Sequence, residues 1–340
     1  MDLFVGSRIT PGKYPKTPES AILLNNNGKF TKQPRSEISN IGMVTDALWV
    51  DIDNDNWEDL IVVGEYTAIT IFKNYNGALR KMPVTWLDKN NNEITTEGWW
   101  NCIKAEDFDK DGDIDFIIGN QGLNSIVKPK DNFPLYVFTG DFDRNGKLDP
   151  IIGQYFEDEY ENKLFPLQTR DDVLKQLPKL RKKYRTYEQF SNVEFKELLE
   201  IKKLETGTLK ATTFSSSYIE NLGNRTFRLV DLPSTCQISP INDVLVDDFD
   251  EDGQLDLLLV GNNYATETNY GRFDALTGLL LKRNKTGFDV IPSRESGFYV
   301  PYQSNHIRKI IDNKGRELII ATQNNEKVRV FNLDFKYQKE

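Results

Sequence analysis

Histidine is almost missing from this chain: His306 is the only one in 340 residues. That removes Ser-His-Asp and Cys-His triads and histidine-rich zinc centres from contention. Cysteine is nearly as scarce. Cys102 and Cys236 lie far apart with no motif spacing, and they read as two buried thiols rather than a disulfide. No apolar run approaches the roughly 20 residues that span a bilayer, so no direct membrane insertion is expected. Positive charge is in deficit, with 43 Lys and Arg against 52 Asp and Glu. The net charge of −9 argues against a nucleic-acid partner, whose phosphates reward a basic face. There is no secretory leader either. The chain opens on Met1-Asp2-Leu3-Phe4-Val5-Gly6, which matches the end of a motif that recurs further on. It therefore reads as a fragment starting inside a repeat, and the missing leader says nothing about compartment.

What is present is a globular composition: 38% apolar, 28% charged and 11% aromatic, the last suited to strands. The length fits two ordinary domains or one large repeat array. Much of the acidity sits in four nine-residue stretches. Asp107-Phe108-Asp109-Lys110-Asp111-Gly112-Asp113-Ile114-Asp115 is the clearest, and Phe116-Ile117-Ile118-Gly119 follows it. The others run from Asp51 to Asp59, Asp141 to Asp149 and Asp248 to Asp256, each leading into an apolar run that ends in Gly64, Gly153 or Gly261.

Oxygen-bearing side chains at alternate positions of a tight loop suit a hard dication, which wants six to eight oxygens. Positions 1, 3, 5 and 9 supply Asp51, Asp53, Asp55 and Asp59 in the first loop. They supply Asp107, Asp109, Asp111 and Asp115 in the second, Asp141, Asp143, Asn145 and Asp149 in the third, and Asp248, Asp250, Asp252 and Asp256 in the fourth. Position 7 is Trp57, Asp113, Lys147 and Gln254, so only its backbone carbonyl is common to all four. An EF-hand closes with a glutamate at position 12. Here position 12 is Val62, Ile118, Ile152 or Leu259, so the closing ligand is the position-9 aspartate. Four bound calcium ions would bring the net charge to about −1. The third loop is the weakest, because Asn145 lacks a charge and Pro150 lacks a donor.

The closing acids Asp2, Asp59, Asp115, Asp149, Asp256 and a degenerate Glu317 are separated by 57, 56, 34, 107 and 61 residues. Most are followed by a strand, an Asn/Gly turn and a second strand: Ala21–Phe30, Ile69–Gly77, Ser217–Phe227 and the diverged Leu279–Phe288. Strand, acidic loop, strand, strand, turn, strand is the unit of a β-propeller blade. The expected fold is all-β, a propeller of six to seven four-stranded antiparallel blades over residues 1–340. A helical insertion at 169–205 fills the long gap, with a second helix starting at Ser191 capped by Glu194. Its basic cluster (Lys175, Lys179, Arg181, Lys182, Lys183, Arg185) reads as a solvated face.

The motif Asp-x-Asp-x-Asp-Gly-x-x-Asp-Leu followed by a strand and glycine resembles the calcium loop of FG-GAP/VCBS repeats, the blades of integrin-α-type propellers. The likeness covers nearly the whole chain. It is finest to the C-terminal part of bacterial FG-GAP/VCBS proteins associated with ASPIC/UnbV modules, echoed in Gly42–Asp51 and Glu295–Pro301, although no ASPIC/UnbV segment is present. The resemblance implies structural Ca2+ in up to four loops, a surface, secreted or periplasmic parent with further domains, and no firm activity. The degenerate Asp312-Asn313-Lys314-Gly315 turn is expected to hold no metal.

On the face opposite the loops, amides beside aromatics suit a glycan or a polar protein loop. The candidates there are Tyr66, Trp99, Trp100, Asn120, Gln121, Tyr155, Asn262, Asn263 and Tyr264, with the polar loop Gly261–Gly278 as the specificity element; the competing reading, which the sequence favours, is that these residues fill the propeller's axis and cover its blade edges. The alternative is a carboxylate-dependent polysaccharide hydrolase or lyase. Its candidate acids, Glu65, Glu157, Asp158, Glu267 and Asp274, form no recognisable pair in the sequence, so a binding module leads.

Overall fold

Leu60-Ile61-Val62-Val63 shows why this chain must stack its sheets. All four side chains are fully buried, and they alternate between two partners. Ile61 and Val63 pack towards Trp100, Ile103, Phe116 and Phe227, while Leu60 and Val62 pack towards Ile22 and Phe72. A strand apolar on both faces has to lie between two neighbouring sheets, each side chain contributing about 1.5–3 kcal/mol of burial. The same alternation recurs in Phe116-Ile117-Ile118 and Leu257-Leu258-Leu259-Val260.

A computed structural model describes residues 2–34, 36–156, 163–199, 208–267 and 271–332. The described residues are mostly β, in six sheets that are antiparallel but for one parallel edge strand, with a few short helices. Five sheets follow one another as propeller blades. Blade 1 holds Leu3–Val5, Ala21–Asn26 and Lys29–Lys32. Blade 2 holds Met43–Val50, Asp59–Tyr75 and Ala78–Lys81. The run Asp59–Tyr75 doubles back on itself. The Asn74 N–H donates to Asp59 Oδ1 at 2.7 Å, whereas 15 extended residues would span about 50 Å. Tyr66, at φ 49°, lies in the turn.

Blade 3 holds Cys102–Glu106, Asp115–Gly119, Ser217–Asn221 and Thr226–Asp231, with Thr85–Leu87 added in parallel at its edge. Blade 4 holds Ile241–Asp247, Asp256–Gly261, Leu279–Asn284 and Gly287–Ile291. Blade 5 holds Ile307–Ile311, Glu317–Ala321 and Arg329–Phe331.

The sixth sheet corrects the repeat spacing. Leu135–Gly140, Asp149–Phe156, Lys163–Pro166 and Leu209–Ala211 form a four-stranded sheet inserted between the second and third strands of blade 3. The hairpin Ser217–Phe227 therefore belongs with Asp115, not with Asp149: Phe116 pairs with Ile219. The long gap holds half a blade as well as helices.

The helical segment is real but divided differently. Helices Arg170–Gln176, Tyr187–Ser191 and Phe195–Leu198 pack Val173, Leu177, Phe190 and Phe195 on Phe138 and Ile151. Ser191 ends a helix rather than starting one. Its capping box is Thr186 with Gln189, and Glu194 is the N-cap of the next helix.

The blades are joined by a repeated staple. Asp46 of blade 2 accepts from Ile103 N of blade 3 at 3.0 Å, and Asp243 of blade 4 accepts from Ile307 N of blade 5 at 3.1 Å. Both acids stand beside a β-bulge in the first strand, which re-aims the side chain towards the neighbour. Cys102 takes the corresponding place in blade 3, five residues before Asp107, and its thiol faces Ile241 O of blade 4 at 4.0 Å. Both cysteines are buried and free.

The glycines ending the second strands answer to close backbone approach. A Cβ on Gly64 would lie 2.1 Å from Met43 O, and one on Gly261 would lie 1.8 Å from Pro240 O. In the inserted sheet, Gly153 meets only side chains, at 3.1 Å and beyond.

Candidate functional site

All four acidic loops adopt one conformation. Position 4 is left-handed in each (Asn54 φ 58°, Lys110 65°, Arg144 64°, Glu251 57°), and so is position 6 (Asn56 69°, Gly112 97°, Gly146 83°, Gly253 85°). Five non-glycine residues in that region are held there by the rest of the loop. The position-1 carboxylate supplies the hold. Asp51, Asp141 and Asp248 each accept from the N–H groups of positions 5 and 6, and Asp107 accepts from Gly112 N at 3.1 Å. Position 5 then accepts from the position-7 N–H at 2.8–2.9 Å in every loop.

The position-9 acid closes the corner. Asp59, Asp115 and Asp256 are almost fully buried and accept from the third strand through Asn74 N (2.7 Å), Asn221 N (2.8 Å) and Arg283 N (2.9 Å). Asp2 does the same with Asn25 N at 2.8 Å, which confirms its alignment with the other anchors. Asp149 departs from the pattern and accepts from Phe142 N of its own loop. Burial pushes the Asp115 and Asp256 carboxyls up to about 6, and it raises Asp59 and Asp149 as well.

Carboxylate oxygens come within 4.8 Å of one another in Asp51-Asp53-Asp55, Asp107-Asp109-Asp111, Asp141-Asp143-Asp149 and Asp248-Asp250-Asp256. Oxygens so placed match the donor set of a hard dication. The Asp107 loop also carries an Oδ1 atom, on Asp107 itself, that is shut off from solvent without a hydrogen-bond partner. A cation would satisfy it.

The Asp51 and Asp248 loops already contain a cation. Lys73, 6% exposed, pairs with Asp53 and lies 2.6 Å from Asp55 and 3.7 Å from Asp59. Lys282 pairs with Asp250 and lies 3.2 Å from Asp252. Burial opposes the charge of Lys73, but hydrogen bonds to Asp53 and Asp55 hold it above its ordinary range. The hydrogen bond to Asp250 does the same for Lys282. In the degenerate turn of blade 5, Asp312 is paired with Arg316 at 2.7 Å.

On the opposite face a mouth of about 580 Å³ opens among blades 1 to 5. The candidates Trp99, Gln121, Asn262 and Asn263 line it, joined by Asn101, Asn242, Gln303, Asn305, His306 and Arg8, which sequence reasoning missed. They come from six separate chain segments, and only the fold brings them together. No Asp or Glu is among the described lining residues.

Several candidates turn out to be scaffold. Trp100 is fully buried and donates to Thr96 O. Asn120 accepts from Trp99 N and donates to Thr213 O and Ser215 O. Asn262 clamps Leu276 through both its N–H and its carbonyl. Tyr66 is buried against the Trp99 ring at 5.4 Å. Each has its polar atoms spent on backbone or its ring in the core. Tyr264 stacks under Arg272. Tyr155 lies apart, in a second cleft of about 790 Å³ between the inserted sheet and the loop carrying Arg272 and Asp274. Glu65 is tied to Arg8. Glu157 and Asp158 lie outside the described residues.

Residues 51–118, carrying the first two loops, match the model of an FG-GAP-like repeat. The match covers 68 of the 340 residues, and the stacked sheets define the fold as a β-propeller. No curated protein matches it. Among solved structures, similarity is found to a crystal structure described as "BBS1N in complex with ARL6DN, soaked with mercury", at 10% identity, over 98% of this chain and 82% of that one, with a TM-score of 0.29. A score that low leaves the fold to be argued from the sheets themselves.

Proposed function

We propose that the chain is a non-catalytic, calcium-stabilised binding module that engages a glycan or a polar protein loop through the mouth opposite the acidic loops. The observation that carries this reading is the lining of that mouth. Asn101, Asn242, Asn262 and Gln303 tie their amides into the wall, which leaves the amino groups of Asn263 and Asn305 beside the half-buried Trp99 ring, a pairing suited to the hydroxyls and apolar edges of a sugar. Glycoside hydrolysis needs two opposed carboxylates. The mouth's described lining offers none, which favours binding over the hydrolase or lyase reading.

Calcium in this reading is structural. The Asp107 and Asp141 loops accept it as they stand. Asp107, Asp109, Asp111 and Asp115 hold it in blade 3, and Asp141, Asp143, Asn145 and Asp149 hold it in the inserted sheet, each with the position-7 carbonyl. The bound ion supplies charge compensation that fixes the corner. The finer resemblance to bacterial FG-GAP/VCBS proteins with ASPIC/UnbV modules supports a surface, secreted or periplasmic parent with further domains.

The test is a glycan array probed with the native chain and with a Trp99→Ala/Asn305→Ala variant, in calcium. Binding by the native chain that the variant loses is expected. Equal binding by both would place the ligand elsewhere.

A further inference from the structure

The two lysines inside the acidic loops stand in the same register. Lys73 is the residue before Asn74, whose N–H donates to the closing Asp59. Lys282 is the residue before Arg283, whose N–H donates to the closing Asp256. In blade 3 the corresponding residue, before Asn221, is Glu220, and its carboxylate turns to Arg228 at 2.9 Å. One position on the third strand therefore decides whether a cation of the chain's own reaches the loop. Lys73 enters deepest: its side chain is 6% exposed, it pairs with Asp53 and Asp55, and it stands 3.7 Å from Asp59 Oδ2, which has no hydrogen-bond partner. Lys282 enters from a more open side and touches two. A lysine ammonium donates three hydrogen bonds and carries one charge. It meets the same oxygens that a dication would bind, and the two are mutually exclusive on steric and charge grounds.

We propose that Lys73 and Lys282 are built-in counter-ions that take the place of calcium in the Asp51 and Asp248 loops, so that divalent cations are confined to the Asp107 and Asp141 loops. The second clause rests on the calcium reading above; the first stands by itself. The module then has two kinds of corner. Those of blades 2 and 4 are closed by the chain at any calcium concentration, and those of blade 3 and the inserted sheet are closed only when calcium is bound. Loss of calcium would loosen blade 3 and its insertion while the neighbouring blades stay locked. The tether from Lys110 of the blade 3 loop to Gly253 O of the blade 4 loop links one kind of corner to the other.

The experiment counts calcium ions per chain, by calorimetric titration of chelator-stripped protein, for the native chain, Lys73→Gln, Lys282→Gln and the Asp53→Asn/Asp55→Asn pair on the native background. Each lysine variant should gain one ion over the native chain. The Asp53/Asp55 pair should bind as many ions as the native chain, because its loop holds none to lose. In chelator, Lys73→Gln should melt below the native chain and recover on adding calcium. The proposal is overturned if the lysine variants gain no ion, or if the Asp53/Asp55 pair loses one. A native chain that binds no ion while the lysine variants do would refute calcium in the other two loops and leave the lysine assignment standing.

Discussion

Replacing Asp243 with alanine tests the inter-blade staple directly. Asp243 is 2% exposed and holds three elements together. It accepts from Ile307 N at 3.1 Å and Val244 N at 3.0 Å, pairs with Lys104 at 2.8 Å, and pairs with Arg308. Burial opposes its charge, but Lys104 and the other donors hold the carboxyl below its usual range. Arg308 is 58% exposed and Lys104 27%, so solvent screens both, and their pairing contributes little. The larger loss is at the two N–H groups of buried residues, about 1–3 kcal/mol for each left without an acceptor. Together they set the expected loss at about 2–6 kcal/mol, to which the screened ion pairs add little. Urea unfolding followed by tryptophan fluorescence would read it as a lower midpoint with little change in slope. A loss under about 1 kcal/mol would refute the staple as a determinant of blade docking.

Two further outcomes follow from the geometry. Gly261→Ala pushes a Cβ into the Pro240 carbonyl and should cost about 2 kcal/mol or more, whereas Gly153→Ala meets side chains that can yield and should cost under about 1 kcal/mol. Equal costs by denaturant titration would contradict the close-approach account. In chelator, stability should rise as pH falls from 7 towards 5. The folded-state carboxyls of Asp115 and Asp256 titrate near 6, above the ordinary 3.8, so the folded state takes up those protons first. Below about pH 4 the trend reverses, because Asp243, Asp55 and Asp252 are held low in the fold. A melting temperature that falls steadily from pH 7 to 5 in chelator would contradict the burial of those two acids.

Much of the blade was legible in the chain. The Asp-x-Asp-x-Asp loops and the apolar runs after them mark two strands and the corner between them, since only a strand buried on both faces carries Leu60–Val63 or Leu257–Val260. The Asn/Gly hairpins marked the outer strands. What periodicity could not show was nesting. Asp141–Asp149 looks like any other loop, and only the pairing of Phe116 with Ile219 reveals that its sheet interrupts blade 3. A clue lay in Pro150 and in the 34-residue spacing, shorter than a blade. The mouth was half legible. Alternation brought Gln121 and Asn263 to the right face, but Asn120 and Asn262 look identical in sequence and are spent on backbone. Lys73 and Lys282 were invisible as site residues because they sit on the third strand, away from the loop they enter.

The most direct measurement is thermal melting of the native chain after exhaustive chelation and again in saturating calcium. Two structural sites at a hundredfold excess over their dissociation constants should add about 5 kcal/mol, seen as a melting temperature that climbs with calcium and not with magnesium. An unchanged melting curve would contradict the account of the acidic loops as calcium-closed corners.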